Sequence, residues 1–315
     1  MASSTKVVYA AIFGNLAVAI TKFIAAIFTG SSAMLTEGIH SVVDTGNGIL
    51  LLYGTKLSKK PADDMHPFGY GKEVYFWTFL VAILIFGLGG GMSIYEGIIH
   101  LNHPSPVQNP SWNYVVLALA FIFESYAWAI AYKEFNRKKS PDSLWARVKR
   151  SKDPMTFTVL FEDTAALIGL IIAFFGVFLG EYFENPYFDG ASSILIGIVL
   201  AVVAVFLAYE SRGLLIGEGV DKSTLNDLKS IALADNAVKN ASLPLTMFFG
   251  PDDLLVNFDI QFKKSLSASE IEESVDRIEK ELRRKYPFIK RIYIEAESIT
   301  KRNQRASQQD RKSVV

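Results

Sequence analysis

Apolar residues fill the first two thirds of the chain in long blocks. They show neither the short alternation of a half-buried strand nor the one-sided stripe of a soluble helix. A helix needs about 20 apolar residues to cross the hydrocarbon core of a bilayer. Six stretches reach that length, at roughly 7–29, 33–57, 75–100, 113–132, 155–180 and 190–210. One such stretch alone could be a buried core helix, but six in succession predict six transmembrane helices. The first block opens after MASSTK and runs too long for the apolar region of a cleaved signal, so we expect it to remain as a span.

The pattern changes from Gly213 onward. A helix is expected from about Lys222 to Leu233, opened by Asp221 or Ser223 as a cap. Strands are expected at 243–249 and 254–262 on either side of the turn sequence GPDD. Ser267 then precedes a helix with Ile271, Val275, Ile278 and Leu282 on one face, and IKRIYIEAES forms a last strand. That αββαβ order predicts a ferredoxin-like α+β domain. The expected fold is thus a polytopic α-helical membrane protein with six transmembrane helices in 1–212 and a C-terminal ferredoxin-like cytoplasmic domain in 213–299. The polar, basic tail 300–315 reads as disordered, with a weak attraction to anionic lipid.

Composition sharpens this division. The chain has 315 residues, half of them hydrophobic, with 32 basic and 32 acidic side chains. A net charge of zero argues against a nucleic-acid partner, and so much apolar residue excludes a disordered protein. The absence of cysteine excludes disulfides, thiolate metal sites and a cysteine nucleophile. The zero total hides two unlike parts: 31 charged residues in the first 212 positions and 33 in the remaining 103. Within the first part, segments 56–72 and 133–152 carry 12 Lys and Arg, whereas 30–32, 101–112 and 181–189 carry none. The positive-inside rule then puts both termini and the charged domain on the cytoplasmic side.

Polar groups at membrane depth are costly and point to function. In the second span His40 and Asp44 are four apart and share a helical face, which Glu37 and Asn47 extend. The fifth span carries Glu162 and Asp163 about two turns from its cytoplasmic end. An imidazole nitrogen with two or three carboxylate oxygens suits a zinc, manganese, iron or cobalt ion, provided the two helices are neighbours. Glu162 lies about 100° round the helix from Asp163 and reads equally as a proton-handling group. Lys22 is expected to snorkel or to pair with a carboxylate such as Glu124, and Glu96, His100 and His103 are expected at the interface.

Several segments resemble the cation diffusion facilitator family as they stand: TGSSAMLTEGIHSVVDT, KKPADDMHPFGYGK and NPYFDGASSILIG. More narrowly, RSKDPMTFTVLFEDTAALIGL is similar to the branch containing the mitochondrial zinc transporter of animals and its bacterial relatives. The resemblance implies transport-site ligands at His40, Asp44 and Asp163. It also implies a fourth at position 159, where this chain has valine, which has no lone pair. Glu162, a water or nothing takes the fourth place. A second ion site in the loop between spans two and three would fall on Asp63, His66 and Tyr70, a weak set that reads rather as a turn packed under the soluble domain. That domain lacks His and Cys, so it is expected to hold a homodimer together rather than to bind metal.

The expected function is efflux of divalent metal, zinc first, by proton antiport. Partners are the metal ion, protons and the bilayer, with no prosthetic group. Imidazole exchanges protons near neutral pH, which suits His40 to the coupling. The alternatives are a transport-deficient scaffold or sensor, motivated by Val159 and Tyr70, or an exporter of manganese, iron or cobalt. No Ser/His/Asp set or phosphate-binding loop suggests an enzyme. If the chain is bacterial, the expected location is the inner membrane.

Overall fold

Apolar side chains that face outward surround an interior that holds the polar ones. In this computed structural model, which describes residues 2–29, 32–104, 110–136 and 152–296, the first compact unit comprises Met1–Pro61 and Lys72–Gly213. Its long helices are α1 (Ala2–Thr29), α2 (Ser32–Leu57), α3 (Glu73–Asn102), α4 (Pro110–Phe135), α5 (Pro154–Tyr182) and α6 (Tyr187–Ile216). Phe13, Ile27, Phe28, Ile122 and Val202 are each more than 60% exposed, while Asn15, Lys22, Asp44, Asn47, Glu124, Glu162 and Asp163 are buried. Water would drive the opposite arrangement, so this is the distribution expected of helices solvated by lipid.

Five of these helices, α1 and α3 to α6, are long and apolar enough to cross a membrane. The second falls short on apolarity, although it has 26 residues. The reason is the polar set His40, Ser41, Asp44 and Asn47, which lowers its mean hydropathy. Helix α1 packs on α2 and α4, α4 on α5, and α2 on α3. Helix α3 contains a π-helical stretch, Ile85–Gly91, with the sequence IFGLGGG. Its C-terminal half meets α6 almost backbone to backbone. A Cβ on Gly97 would stand 2.7 Å from the Gly190 carbonyl oxygen, and one on Gly197 would stand 2.7 Å from that of Gly90.

The second compact unit comprises Ala62–Gly71 and the chain from Leu214. Helix α7 (Lys222–Leu233) is capped by Asp221, whose carboxylate accepts from the backbone N–H of Ser223 at 2.9 Å and of Thr224 at 3.1 Å. Helix α8 (Ala268–Lys285) starts with a capping box between Ser267 and Glu270. The strands are β1 (Val238–Ala241), β2 (Leu245–Gly250), β3 (Asp253–Phe262) and β4 (Ile289–Ala296). β3 lies at the centre of a mixed sheet. β4 runs parallel along one edge, while β2 and β1 take successive stretches of the other edge, both antiparallel. The order is therefore αβββαβ, one strand more than the αββαβ expected. The sequence VKNA has no apolar alternation, and its pairing of Val238 with Phe262 and Ala241 with Ile260 makes it a strand. Leu228, Leu254, Val256, Phe258, Ile278 and Leu282 form the core.

The loop Ala62–Gly71 is held within this unit. Phe68 stacks on Phe249 with ring centroids 4.9 Å apart, and Arg291 donates to the Phe68 carbonyl at 3.0 Å. Gly71 approaches the Phe249 carbonyl so closely that a Cβ would overlap it, and Gly69 adopts φ 77°. The expected basic loop 133–152 lies mostly outside the described residues, as does the tail 300–315. The side chains of Glu37 and Trp112 lie outside them too.

Candidate metal centre

The four-residue spacing does on α2 what helical geometry requires. His40 and Asp44 face the same way, with Nε2 and Oδ2 3.4 Å apart. They open onto a cavity walled by Lys22 of α1, Ser41 of α2, Glu124 of α4, Ala165, Gly169 and Leu170 of α5, and Ile196 and Leu200 of α6. The π-helical stretch of α3 packs against the imidazole ring, where a Cβ on Gly89 would stand 3.4 Å from Cε1 of His40. Small residues on α5 and the bare Gly89 leave the polar groups room.

The polar atoms buried with no hydrogen-bond partner among the described residues include His40 Nδ1, Asp44 Oδ1, Asn47 Oδ1 and Asp163 Oδ2. Buried polar atoms are ordinarily paired, because leaving one bare costs about 1–3 kcal/mol. His40 and Asp44, which line the cavity, offer bare lone pairs that a cation can use, and Asp163 has Asp44 as a charged neighbour. Asp163 has Glu124 and Asp44 as charged neighbours, and Glu162 has Asp44 and Asp163. Glu162 also accepts from Asn47 Nδ2 at 2.9 Å, which ties α5 to α2. Among the described residues no three His, Asp or Glu side chains stand close enough to enclose an ion. The structure thus joins His40 to Asp44 and brings Asp163 and Glu162 into their neighbourhood without closing a cage.

Val159 is 2% exposed and packs in the apolar core with Val8, Leu51, Phe157 and Leu160. Its place in the span is filled by packing. Lys22 does not snorkel: it is 3% exposed and its Nζ donates to Ser41 Oγ at 3.1 Å. His100 does not simply face the interface either, since its Nδ1 meets Asp189 Oδ2 at 2.9 Å and so links α3 to α6. Sequence reasoning missed Ser41 and Gly89. The signals available were adjacency to His40 and the run LGGG inside an otherwise bulky span.

Asp63 and His66 are together in the loop, with Tyr70. Asp63 accepts from the His66 backbone N–H at 2.7 Å and from the Tyr70 hydroxyl at 2.7 Å, and its Oδ1 lies 3.3 Å from His66 Nδ1. The Tyr70 hydroxyl and the His66 backbone hold this carboxyl below its usual range. These contacts close a turn on the Asp63 carboxylate.

Residues 8–216 match the cation efflux transmembrane domain. The chain is 35% identical over 236 residues to the mitochondrial proton-coupled zinc antiporter SLC30A9 of Mus musculus, covering 74% of this chain and 42% of that protein. It is 30% identical over 261 residues to metal tolerance protein C4 of Arabidopsis thaliana, covering 82% of this chain and 57% of that one. It is 23% identical over 237 residues to the manganese efflux system protein MneP of Bacillus subtilis, covering 75% and 76%. The chain spans less than two thirds of the length of the zinc antiporter and of the plant protein. A domain match that runs from the first long helix through the sixth, around a His–Asp pair with buried carboxylates beside it, makes this chain a multi-pass membrane protein of the cation efflux family, the cation diffusion facilitators.

Proposed function

We propose that this chain is a secondary transporter that exports a divalent cation, zinc first, in exchange for protons. The observation that carries the reading is the set of bare ligand atoms, His40 Nδ1, Asp44 Oδ1 and Asp163 Oδ2, buried in the match to the cation efflux domain. The relatives named as proton-coupled zinc antiporters support the choice of ion and counter-ion. In this reading His40, Asp44 and Asp163 bind the cargo, and Glu162 supplies a fourth ligand or receives a proton. Ligands must shed protons before they bind a cation, so loading releases protons and protonation releases metal. All six long helices span the membrane, α2 included, because its polar face is turned inward and shielded by its neighbours. Rocking of the bundle carries the site from one side to the other. Loading would bring α5 nearer α2, and the Asn47–Glu162 hydrogen bond is a tie that already joins them.

The sheet unit is a ferredoxin-like cytoplasmic domain with one added strand, and it holds a homodimer together. The 12-to-zero distribution of Lys and Arg supports a cytoplasmic location for both termini. The pair Asp63 and His66 serves the turn and is not a second ion site.

The test is flux into proteoliposomes that enclose a zinc-sensitive dye, with a pH step imposed. Wild type fills with zinc in proportion to the proton gradient, and His40→Ala and Asp163→Ala do not. Equal flux in all three would exclude transport through this site. A second reading, a transport-deficient scaffold or sensor, draws on Val159 packed in the apolar core and on the open ligand set among the described residues. It predicts no flux from wild type under any gradient. Competition by manganese, iron and cobalt in the same assay would separate zinc export from the activity suggested by the manganese relative's name.

A further inference from the structure

Charge on the helices around the cavity is unequally shared, with Asp44 and Glu124 in its lining. Asp44, Glu124, Glu162 and Asp163 are all buried on α2, α4 and α5. Lys22 of α1 brings an ammonium to the same cavity wall as His40, Asp44 and Glu124. It is fixed there by its bond to Ser41 Oγ, on the residue that follows His40. Carboxylates gathered in a medium of low dielectric repel one another, and an opposite charge among them offsets much of that cost. An ammonium has no lone pair, so Lys22 cannot be a ligand. It stands instead where it opposes a second cation.

We propose that Lys22 is a tethered counter-cation of the transport site: it holds the carboxylates together when no ion is bound and limits how tightly a divalent ion is held. The proposal rests on the reading of His40, Asp44 and Asp163 as the cargo site. Its physical content is a trade. The ion-free state gains a neutralising charge, and the loaded state carries a cation–cation repulsion that favours release. A transporter needs both, since an ion held too firmly is not delivered.

The experiment is zinc titration calorimetry on the purified full chain at fixed pH, paired with flux in proteoliposomes. Lys22→Met keeps the length and apolar stem and removes the charge. It should bind zinc on the order of tenfold more tightly, from the loss of one unit charge at the site, and turn over more slowly. Lys22→Arg keeps the charge and should bind as wild type does. A packing role alone would lower the melting temperature without any gain in affinity. Folded Lys22→Met with unchanged or weaker zinc binding overturns the proposal. If Lys22→Met does not fold, Lys22→Gln is read in its place; failure of both to fold while Lys22→Arg folds would make the lysine a strut and equally overturn it. His40→Ala and Asp163→Ala are titrated in parallel. If they still bind zinc, the cargo-site reading fails; if they do not and the lysine variants match wild type, only the counter-cation role fails.

Discussion

Replacing Gly97 by alanine tests how much the close approach of α3 and α6 contributes to stability. A Cβ at position 97 would stand 2.6 Å from Ile194 Cγ1, 2.7 Å from the Gly190 carbonyl oxygen and 2.8 Å from the Ile194 nitrogen. Two of those three atoms are backbone and cannot rotate away. Reaching an ordinary contact of about 3.4 Å means parting the helices by roughly 0.6–0.8 Å, and overpacking of this kind costs about 1–3 kcal/mol. One turn further along α3, His100 Nδ1 and Asp189 Oδ2 are 2.9 Å apart. The same parting would stretch that bond to about 3.5 Å and lose roughly 1 kcal/mol. Alanine's better helix propensity returns up to about 1 kcal/mol. The net loss is about 1–3 kcal/mol, which lowers the melting temperature by roughly 3–10 °C in a unit of this size. Gly87 lies on the same helix with nothing within 4 Å of a built Cβ, so Gly87→Ala is the matched control. The assay is thermal unfolding of the purified variants followed by tryptophan fluorescence. If Gly97→Ala melts with Gly87→Ala and wild type, the glycine contact is not structural and the reasoning is wrong.

Other expectations follow from single contacts. Asp235 accepts from Arg277 Nε at 2.8 Å, Ser274 Oγ at 2.8 Å and the Ala237 N–H at 2.9 Å, and Arg277 first among these holds its carboxyl down to about 2. A depressed folded-state value stabilises above the unfolded value of 3.8 and ceases to do so as pH falls through about 2. Wild type should therefore lose melting temperature between about pH 4 and 2 more steeply than Asp235→Asn, and parallel curves would contradict this. Asp221→Ala removes the cap of α7 and should cost about 1 kcal/mol in chemical denaturation of the sheet unit, with Asp221→Ser recovering most of it. Val159→His puts an imidazole into an apolar core and should destabilise the zinc-free chain by about 1–3 kcal/mol. Zinc should restore the melting temperature if the new nitrogen completes a ligand set with Asp163, and no zinc response would show that position 159 faces only the core.

Features set by neighbouring residues were legible in the sequence. Asp221 or Ser223 was expected as a cap because a cap needs only its own side chain and the next three backbone groups, and Asp221 is the cap in the structure. Ser267, which was expected only to precede a helix, caps that helix. His40 and Asp44 could be paired for the same reason, since one helical turn brings them together. Strand β1 was not legible, because VKNA becomes a strand only through the end of β3. The loop at 62–71 read as a turn with candidate ligands, and what holds it is Arg291, 223 residues away from Phe68.

The sequence alone determined that long apolar helices come first, that a more highly charged unit follows them, and that carboxylates and one imidazole lie within those helices. These depend on composition and short-range periodicity, which survive without any knowledge of the partners. Tertiary structure decided the rest of the site. Packing five helices around one cavity put Lys22 and Glu124 beside His40 and Asp44, set Gly89 against the imidazole ring, and left Val159 in the core. Which face of a uniformly apolar helix turns inward is a matter of its neighbours' shape and charge. A span that is hydrophobic all round carries no mark of that choice in its own residues.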